Sequence, residues 1–563
     1  MPRRRRSRAR RATAGPSSSA ARGTSTSAST ATAVLDTASP SRKRRRSASP
    51  ARPVRAAPGK TAPAATVPTR VRIPCKPIAD VAGYLAETRK KEAALARFRD
   101  GGEVAAERSL RIEIRNRYAN VLLLTAGEAS LAAPPAAEQR IWTAVYYSGI
   151  ERLRGAVKAR PACAVTRAAL DELLDEAGAF YAALAHRLTR KFRLDRRRLS
   201  PAASAASAGS AAATTAAAAA AVARCHLHAG DVSRYRQLVR PRSMRVWDGA
   251  SAAYHAALAA APGLGAAHNQ LAVLATYARD PLTALYRYVR ALAAPLPFPS
   301  VTDNIALLLE HSIKRGAAAA AARPAAAAGP RSGLPPPTWR SSTAALRFVC
   351  VHAAILASPS PTDVPDLAPS LHQRGGLGLG DNDAAARCTA LHLAVVCVYT
   401  AHAWRAGTAP PFAIVLVLHL LTDFLDAIFT HQCAAAVTGA CIVAGWLHAA
   451  ASRVHALGAS DETIAAALHT AVARAAEALA ALRDSERGLP SAPGNVLEED
   501  IELRGFQPWE ARLDPPLSGS ATIADAATGD AAAATRQARL AAALEGFITQ
   551  APPVVALAAD AEL

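Results

Sequence analysis

From about Ile78 onward, apolar residues recur every three or four positions, the period of a helix buried along one face. Leu110, Ile114, Val121 and Leu122 share such a face around Arg111, Arg115 and Arg117. The spacing predicts a further helix over 141–157, with Trp142, Val145, Ile150 and Leu153 apolar, and another over 169–194 carrying Leu170, Leu174, Phe180 and Leu184. Strict alternation, the mark of a half-buried strand, is nearly absent, so the pattern predicts an all-α chain. Ser200–Ala211 is of low complexity and reads as a loop.

A repeat emerges next. Tyr254, Ala257 and Pro262 have the spacing of the second helix of a tetratricopeptide repeat (TPR), and Leu271, Ala272, Ala284, Tyr288 and Ala291 fill the matching slots of the following one. Small residues let paired helices approach, and the tyrosines fill the groove between repeats. An Ala/Pro/Gly stretch then reads as a linker, and 338–453 as buried helices interrupted by a loop over 358–383. Asp461–Ser485 is predicted as an amphipathic helix with Ser460 as its cap. A last helix is expected over 522–549, ahead of a mobile end.

Composition sharpens this picture. Hydrophobic residues make up 51% of the 563 positions and aromatics only 5%. Much of the apolar content is therefore Ala, the strongest helix former. Two apolar stretches, Phe412–Leu421 and Gln432–Ala449, are expected to be buried helices and not membrane spans. The first runs into Asp423, and the second is mostly small residues. The eight cysteines contain no CxxC pair and no zinc spacing, which fits reduced, buried thiols.

The net charge of +24 is uneven: residues 1–75 hold eighteen Lys and Arg against one acid, Asp36. This segment is poor in large apolar residues and is expected to be a disordered basic tail. Its two clusters, Arg3-Arg4-Arg5-Arg6 and Arg42-Lys43-Arg44-Arg45-Arg46, suit nuclear import or attraction to a phosphate backbone. An Arg- and Ser-rich, acid-poor start is also the composition of an organelle transit peptide.

Three segments resemble one family, the telomerase-subunit Est1 and nonsense-mediated-decay Smg proteins. They are "EQRIWTAVYYSGIERLR" (Glu138–Arg154), "HLHAGDVSRYRQL" (His226–Leu238) continuing to Tyr254–Glu310, and "LEEDIELRGFQPW" (Leu497–Trp509). The last is similar to the acidic segment that closes the family's helical domain. The resemblance covers roughly 78–512. It implies a 14-3-3-like TPR domain followed by an α-helical hairpin domain, and the expected organisation is a tail over 1–75, the TPR domain over 76–315, a linker over 316–337, hairpins over 338–515 and an Ala-rich C-terminal tail over 516–563.

The same resemblance implies a phosphopeptide groove. "AGDVSRYR" is similar to the 14-3-3 segment whose Arg-Tyr pair holds phosphate, which places Arg234 and Tyr235 in the pocket. Arg offers a planar fork of donors and Tyr a hydroxyl. Asn269 matches the residue that aligns the bound peptide backbone, and Asn304 a second such Asn. On the helix "VYYSGIERLR", Arg154 falls in an Arg slot and Tyr147 in the slot of a Lys seven residues earlier, about two turns away. Tyr147 departs from the pattern and removes one charge. From the residues alone, Arg234 is equally an ion-pair partner for Asp231 on its own helix, Tyr235 a core ring and Asn269 a cap.

The resemblance implies a non-enzymatic adaptor for phosphoserine or phosphothreonine in nonsense-mediated mRNA decay, docking the phosphorylated RNA helicase of that pathway, recruiting decay factors and pairing with a paralogue. The alternative it leaves open is a telomerase-associated subunit that binds single-stranded telomeric DNA or telomerase RNA. A scaffold whose pocket has lost its ligand is a third. Nucleus and cytoplasm are the expected compartments. No cofactor or metal is expected: Glu498, Glu499, Asp500 and Glu502 read as a solvated acidic face, and no hydrolase or nucleotide-binding motif is present.

Overall fold

The computed structural model describes residues 73–98, 104–126, 133–194, 210–322, 343–357, 384–405, 412–485, 497–504, 506 and 529–550. The basic clusters at 3–6 and 42–46 and most of the expected linker lie outside the described residues. Among the described residues every regular element is a helix; the nearest approach to a sheet is an isolated bridge between Leu264 and Leu296.

The first described residues are extended and already packed. Ile73 is buried, and Asn120 clamps the backbone of Lys76, accepting from its N–H at 2.8 Å and donating to its carbonyl at 3.0 Å. The folded body therefore begins inside the segment expected to be tail. Helices α1 (Val81–Phe98) and α2 (Val104–Thr125) form an antiparallel pair. Two of the α2 arginines are paired: Arg111 and Arg115 converge on Glu176 at 2.7 and 3.4 Å.

The helix expected over 141–157 is longer and irregular. It runs as α3 (Ala133–Arg140), a π-helical stretch over Ile141–Tyr147 and α4 (Ser148–Ala159). The wider i→i+5 turn lets Ile141, Trp142, Val145 and Tyr146 all bury their side chains. Helices α5 (Ala164–Lys191) and α6 (Ser210–Leu238) pack along their lengths, and α6 packs in turn on α7 (Asp248–Ala260).

The predicted repeat is realised in α7, α8 (Gly265–Tyr277), α9 (Pro281–Leu292) and α10 (Val301–Ala322). Tyr254, Ala257, Ala272, Ala284, Tyr288 and Ala291 are all buried, as the pattern requires. The α8–α9 turn is sharply specified. Arg279 takes φ 62°, the Asp280 N–H donates to the Ala275 carbonyl, and the Asp280 carboxylate accepts from the Thr283 N–H to start α9, with Pro281 in its first turn.

The remaining helices, α11 (Thr343–Ala357), α12 (Ala384–Arg405), α13 (Phe412–Phe429), α14 (Ala436–Gly458) and α15 (Glu462–Ser485), stack as antiparallel hairpins. The α15 cap is Asp461, which accepts from the Thr463 and Ile464 N–H groups; Ser460 instead donates to the Leu457 carbonyl. The apolar stretch Phe412–Leu421 lies in α13 and Ala436–Ala449 of the second lies in α14, after a turn over 432–435, and most of their side chains are in the core. One described helix, 462–484, is long and apolar enough to cross a membrane by length and composition; Ile464, Leu468 and Val472 from it are buried in the same core.

Two expectations about organisation are corrected. First, one core runs without a break from Ala272 in α8 to Phe547, so the core does not divide where the linker was placed. Second, residues 529–549 are not a tail. They form α17 (Gly529–Thr549), which packs on α14 and α15 and buries Leu540, Leu544 and Phe547 completely.

The acidic segment is corrected as well. Residues 498–502 form a short helix, α16 (Glu498–Glu502), and three of its acids, Glu499, Asp500 and Glu502, are ion-paired. Glu499 receives a two-pronged contact from Arg536 (2.7 and 2.8 Å), Asp500 is held by Arg539, and Glu502 by Arg287 at 2.7 Å. Arg290 on α9, only 1% exposed, donates to the backbone carbonyls of Glu502 and Arg504. Residues 499–504 thus strap α9 to α17, with a separate Arg for each carboxylate.

Candidate phosphate pocket

The six sequence-selected residues fall into two groups. Tyr147, Arg154, Arg234 and Tyr235 meet at one place where α4 faces the last turns of α6. The guanidinium carbon of Arg154 lies 4.8 Å from the Tyr235 ring centre and that of Arg234 lies 4.5 Å from it. The Tyr147 ring is 6.4 Å from that of Tyr235. Seven residues separate Tyr147 from Arg154, and all the intervening positions are α-helical, so both still face Tyr235 after the π-helical stretch. The second group is Asn269 on α8 and Asn304 on α10, joined by a bond from the Asn304 amide to Asn269 Oδ1 at 2.9 Å.

Arg234 sits deep, 5% exposed, inside a polar triangle. Its Nη2 donates to Asp231 Oδ1 at 3.2 Å and its Nε to the Tyr254 hydroxyl at 3.3 Å, while that hydroxyl donates to Asp231 Oδ1 at 2.9 Å. The pairing with Asp231 that the i, i+3 spacing allowed is thus made, and it leaves the Arg234 guanidinium against the ring of Tyr235. Burial opposes both charges, yet each is retained. His228, whose Nδ1 lies 3.7 Å from Asp231 Oδ2, and the charge of Arg234 hold the Asp231 carboxyl below its ordinary range. Tyr254 and Asp231 hold the Arg234 guanidinium well above its own. Gly230 makes the triangle possible, because a Cβ there would lie 2.4 Å from the Tyr254 ring.

Arg154 is more accessible and pairs with Glu151 one turn back on α4. Behind the pocket, Trp142 stacks on His228 with ring centres 4.6 Å apart and lies 6.3 Å from Tyr235. The π-helical stretch therefore supplies the rear wall, and Tyr147 at its end supplies one side.

The connection from α6 to α7 carries a cationic feature the sequence reading passed over. In "RPRSMR", Arg242 opens a single 3-10 turn and Arg245 follows it. Arg245 folds back on the end of α6, donating from Nη2 to the Leu238 carbonyl and from Nε to the Arg240 carbonyl. Burial, then the neighbouring positive charges of Arg242 and Arg154, lower its affinity for a proton. The available signal was three arginines within six residues, starting four positions after the "SRYR" of α6.

Stacked helical pairs followed by helical hairpins define a class of fold, a 14-3-3-like TPR domain with an appended α-helical hairpin domain. The particular assignment comes from comparison. Residues 136–240 match the family model "Telomerase activating protein Est1", and residues 250–373 match "Est1 DNA/RNA binding domain". A nonsense-mediated mRNA decay factor SMG7-like protein of Arabidopsis thaliana is 43% identical over 90 residues, 16% of this chain and 10% of that relative. Telomerase-binding protein EST1A of Danio rerio is 26% identical over 214 residues, 37% of this chain and 13% of the relative. The matched segments thus span only about a tenth of the curated relatives. Among solved structures, "Crystal structure of Est1 and Cdc13" aligns over 83% of this chain and 96% of that one, with a TM-score of 0.56 and 12% identity, a likeness of fold. The two family models and these relatives make the chain similar to the Est1/Smg family.

Proposed function

We propose that this protein is a non-enzymatic adaptor that binds a phosphorylated serine or threonine peptide in the cleft between α4 and α6. The observation that carries this reading is the convergence of Arg154 and Arg234, from two different helices, on the ring of Tyr235. Guanidinium groups bind phosphate oxygens through charge-assisted, directional hydrogen bonds. Asn269 and Asn304, linked to each other on α8 and α10, would hold the peptide backbone. The relatives named for nonsense-mediated mRNA decay support that pathway as the setting; the partner in this reading is a phosphorylated RNA helicase of the pathway, with decay factors and a paralogue recruited elsewhere on the helical body. Action in both nucleus and cytoplasm fits the basic clusters at 3–6 and 42–46.

The test is a titration of the full chain with a peptide in phosphorylated and unphosphorylated form. Phosphorylation should dominate affinity, and Arg154→Ala should remove most of the difference without unfolding the chain. Equal affinity for the two peptides would sink the reading. Arg154 is a better probe than Arg234, because removing Arg234 strands the buried Asp231 carboxylate.

The match of residues 250–373 to a DNA/RNA binding domain favours a second reading, a telomerase-associated subunit that binds single-stranded telomeric DNA or telomerase RNA. Oligonucleotide binding that is steeply salt-dependent and insensitive to Arg154→Ala would favour it.

A further inference from the structure

The charge balance of the pocket points to a missing component. Arg234 is matched by Asp231 and Arg154 by Glu151, each carboxylate lying on the same helix as its cation. Tyr147 contributes no charge where a Lys would stand. The four sequence-selected residues and their own acids are therefore close to neutral, which is poor equipment for a dianion.

Arg245 has the geometry to supply the difference. Its bond to the Leu238 carbonyl, 3.0 Å, fixes it on the last turn of α6, one turn beyond Tyr235. Two backbone carbonyls occupy Nε and Nη2. They leave Nη1 and the full positive charge without a carboxylate among the described residues. The segment is reachable from solvent, since Met244 and Val246 on either side are 62% and 54% exposed. Arg242 and Arg154 press on Arg245 electrostatically, and such a cluster is relieved by an anion.

We propose that Arg245 is the second phosphate-holding cation of this pocket, entering from the α6–α7 connection in place of a cation at position 147, and that it binds the phosphomonoester dianion of a phosphopeptide. The proposal rests on the phosphopeptide reading above, but is separable from it. The phosphate would then meet cations from two elements, Arg154 on α4 and Arg245 on the connection beyond α6.

The experiment uses fluorescence anisotropy on the full chain with a nonapeptide carrying a central phosphoserine and its unphosphorylated twin. The readout is the ratio of the two affinities. Arg245→Ala should cut that ratio about tenfold or more, as loss of a charge-assisted contact requires. Arg245→Lys should retain part of it, and adding Tyr147→Lys to Arg245→Ala should restore it. If the wild type discriminates and Arg245→Ala leaves the ratio unchanged, Arg245 is a helix-end cap only; the proposal is overturned while the adaptor reading stands. If the wild type does not discriminate, both fall.

Discussion

Arg539 Nη1 lies 2.8 Å from both carboxylate oxygens of Asp500, which is itself only 2% exposed. Asp500 also accepts from the Leu497 N–H at 2.9 Å, so the carboxylate fixes the start of α16 as well as the position of α17. Burial nonetheless pushes its pKa above the ordinary value, against the pull of Arg539. A carboxylate so placed depends on its cation. Arg539→Ala should cost about 3 kcal/mol of stability, because it leaves a buried charge unpaired. Replacing Asp500 and Arg539 together by leucine should cost less than Arg539→Ala alone. Urea midpoints of the single and double variants check this, and additive losses would show that the pair is not coupled.

Glu138 on α3 faces Arg224 of α6 and is 4% exposed. Burial raises its pKa from 4.5 to about 7, outweighing the charge and hydrogen bond of Arg224. Between those values the folded chain holds a proton that the unfolded chain has released. The resulting stabilisation is therefore full below pH 4.5 and is lost as pH rises through about 7. Glu138→Gln removes the titration, so its unfolding free energy should fall less than that of wild type between pH 5 and pH 8, by on the order of 2 kcal/mol. Chemical denaturation at the two pH values measures the difference; parallel curves would contradict it.

Much of the helical body was legible because burial on one face leaves a period in the sequence, and Tyr254 and Tyr288 could be placed in successive repeats from spacing alone. Three features were not legible, each for a physical reason. The acidic strap looked solvated because its cations are remote in sequence: Arg536 and Arg539 lie 37 and 39 residues from their carboxylates, and Arg287 lies 215 from Glu502. The π-helical stretch at 141–147 leaves no periodic trace, since one wider turn shifts the register once and then resumes. Arg245 escaped because its place beside the pocket depends on how a short connection folds back on the end of α6, which residue types do not fix. At the pocket itself, the Arg234–Asp231 pairing was visible as an i, i+3 spacing, whereas the Tyr254 hydroxyl that completes it comes from the next helix.

The turn between α8 and α9 carries a strained residue. Arg279 adopts φ 62°, where a Cβ is unfavourable, to let the Asp280 N–H reach the Ala275 carbonyl. Glycine takes that conformation freely. Arg279→Gly should therefore raise stability by about 0.5–1 kcal/mol, seen as a higher melting temperature, with phosphopeptide binding unchanged. A lower melting temperature would mean that the arginine side chain contributes more than the strain costs.

Two glycines near the pocket should respond to alanine in opposite directions. In an exposed helix interior, Gly→Ala stabilises by about 0.5–1 kcal/mol, because glycine loses more backbone freedom on folding. Gly155, next to Arg154 on α4, is exposed and a Cβ there would meet nothing within 4 Å, so Gly155→Ala should follow that rule. Gly230 is different. A Cβ there would stand 2.4 and 2.6 Å from two Tyr254 ring atoms, and that ring is fully buried with its hydroxyl tied to Asp231 and Arg234. The ring cannot move without breaking those bonds, so overpacking should outweigh the entropic gain and Gly230→Ala should destabilise by about 1–3 kcal/mol. The displaced hydroxyl would also release Arg234 from its fixed angle over Tyr235, so the preference for a phosphorylated peptide should weaken in Gly230→Ala and persist in Gly155→Ala. Thermal melts and paired peptide titrations on both variants separate the two effects, and a Gly230→Ala protein as stable as wild type would show that Tyr254 has room to move.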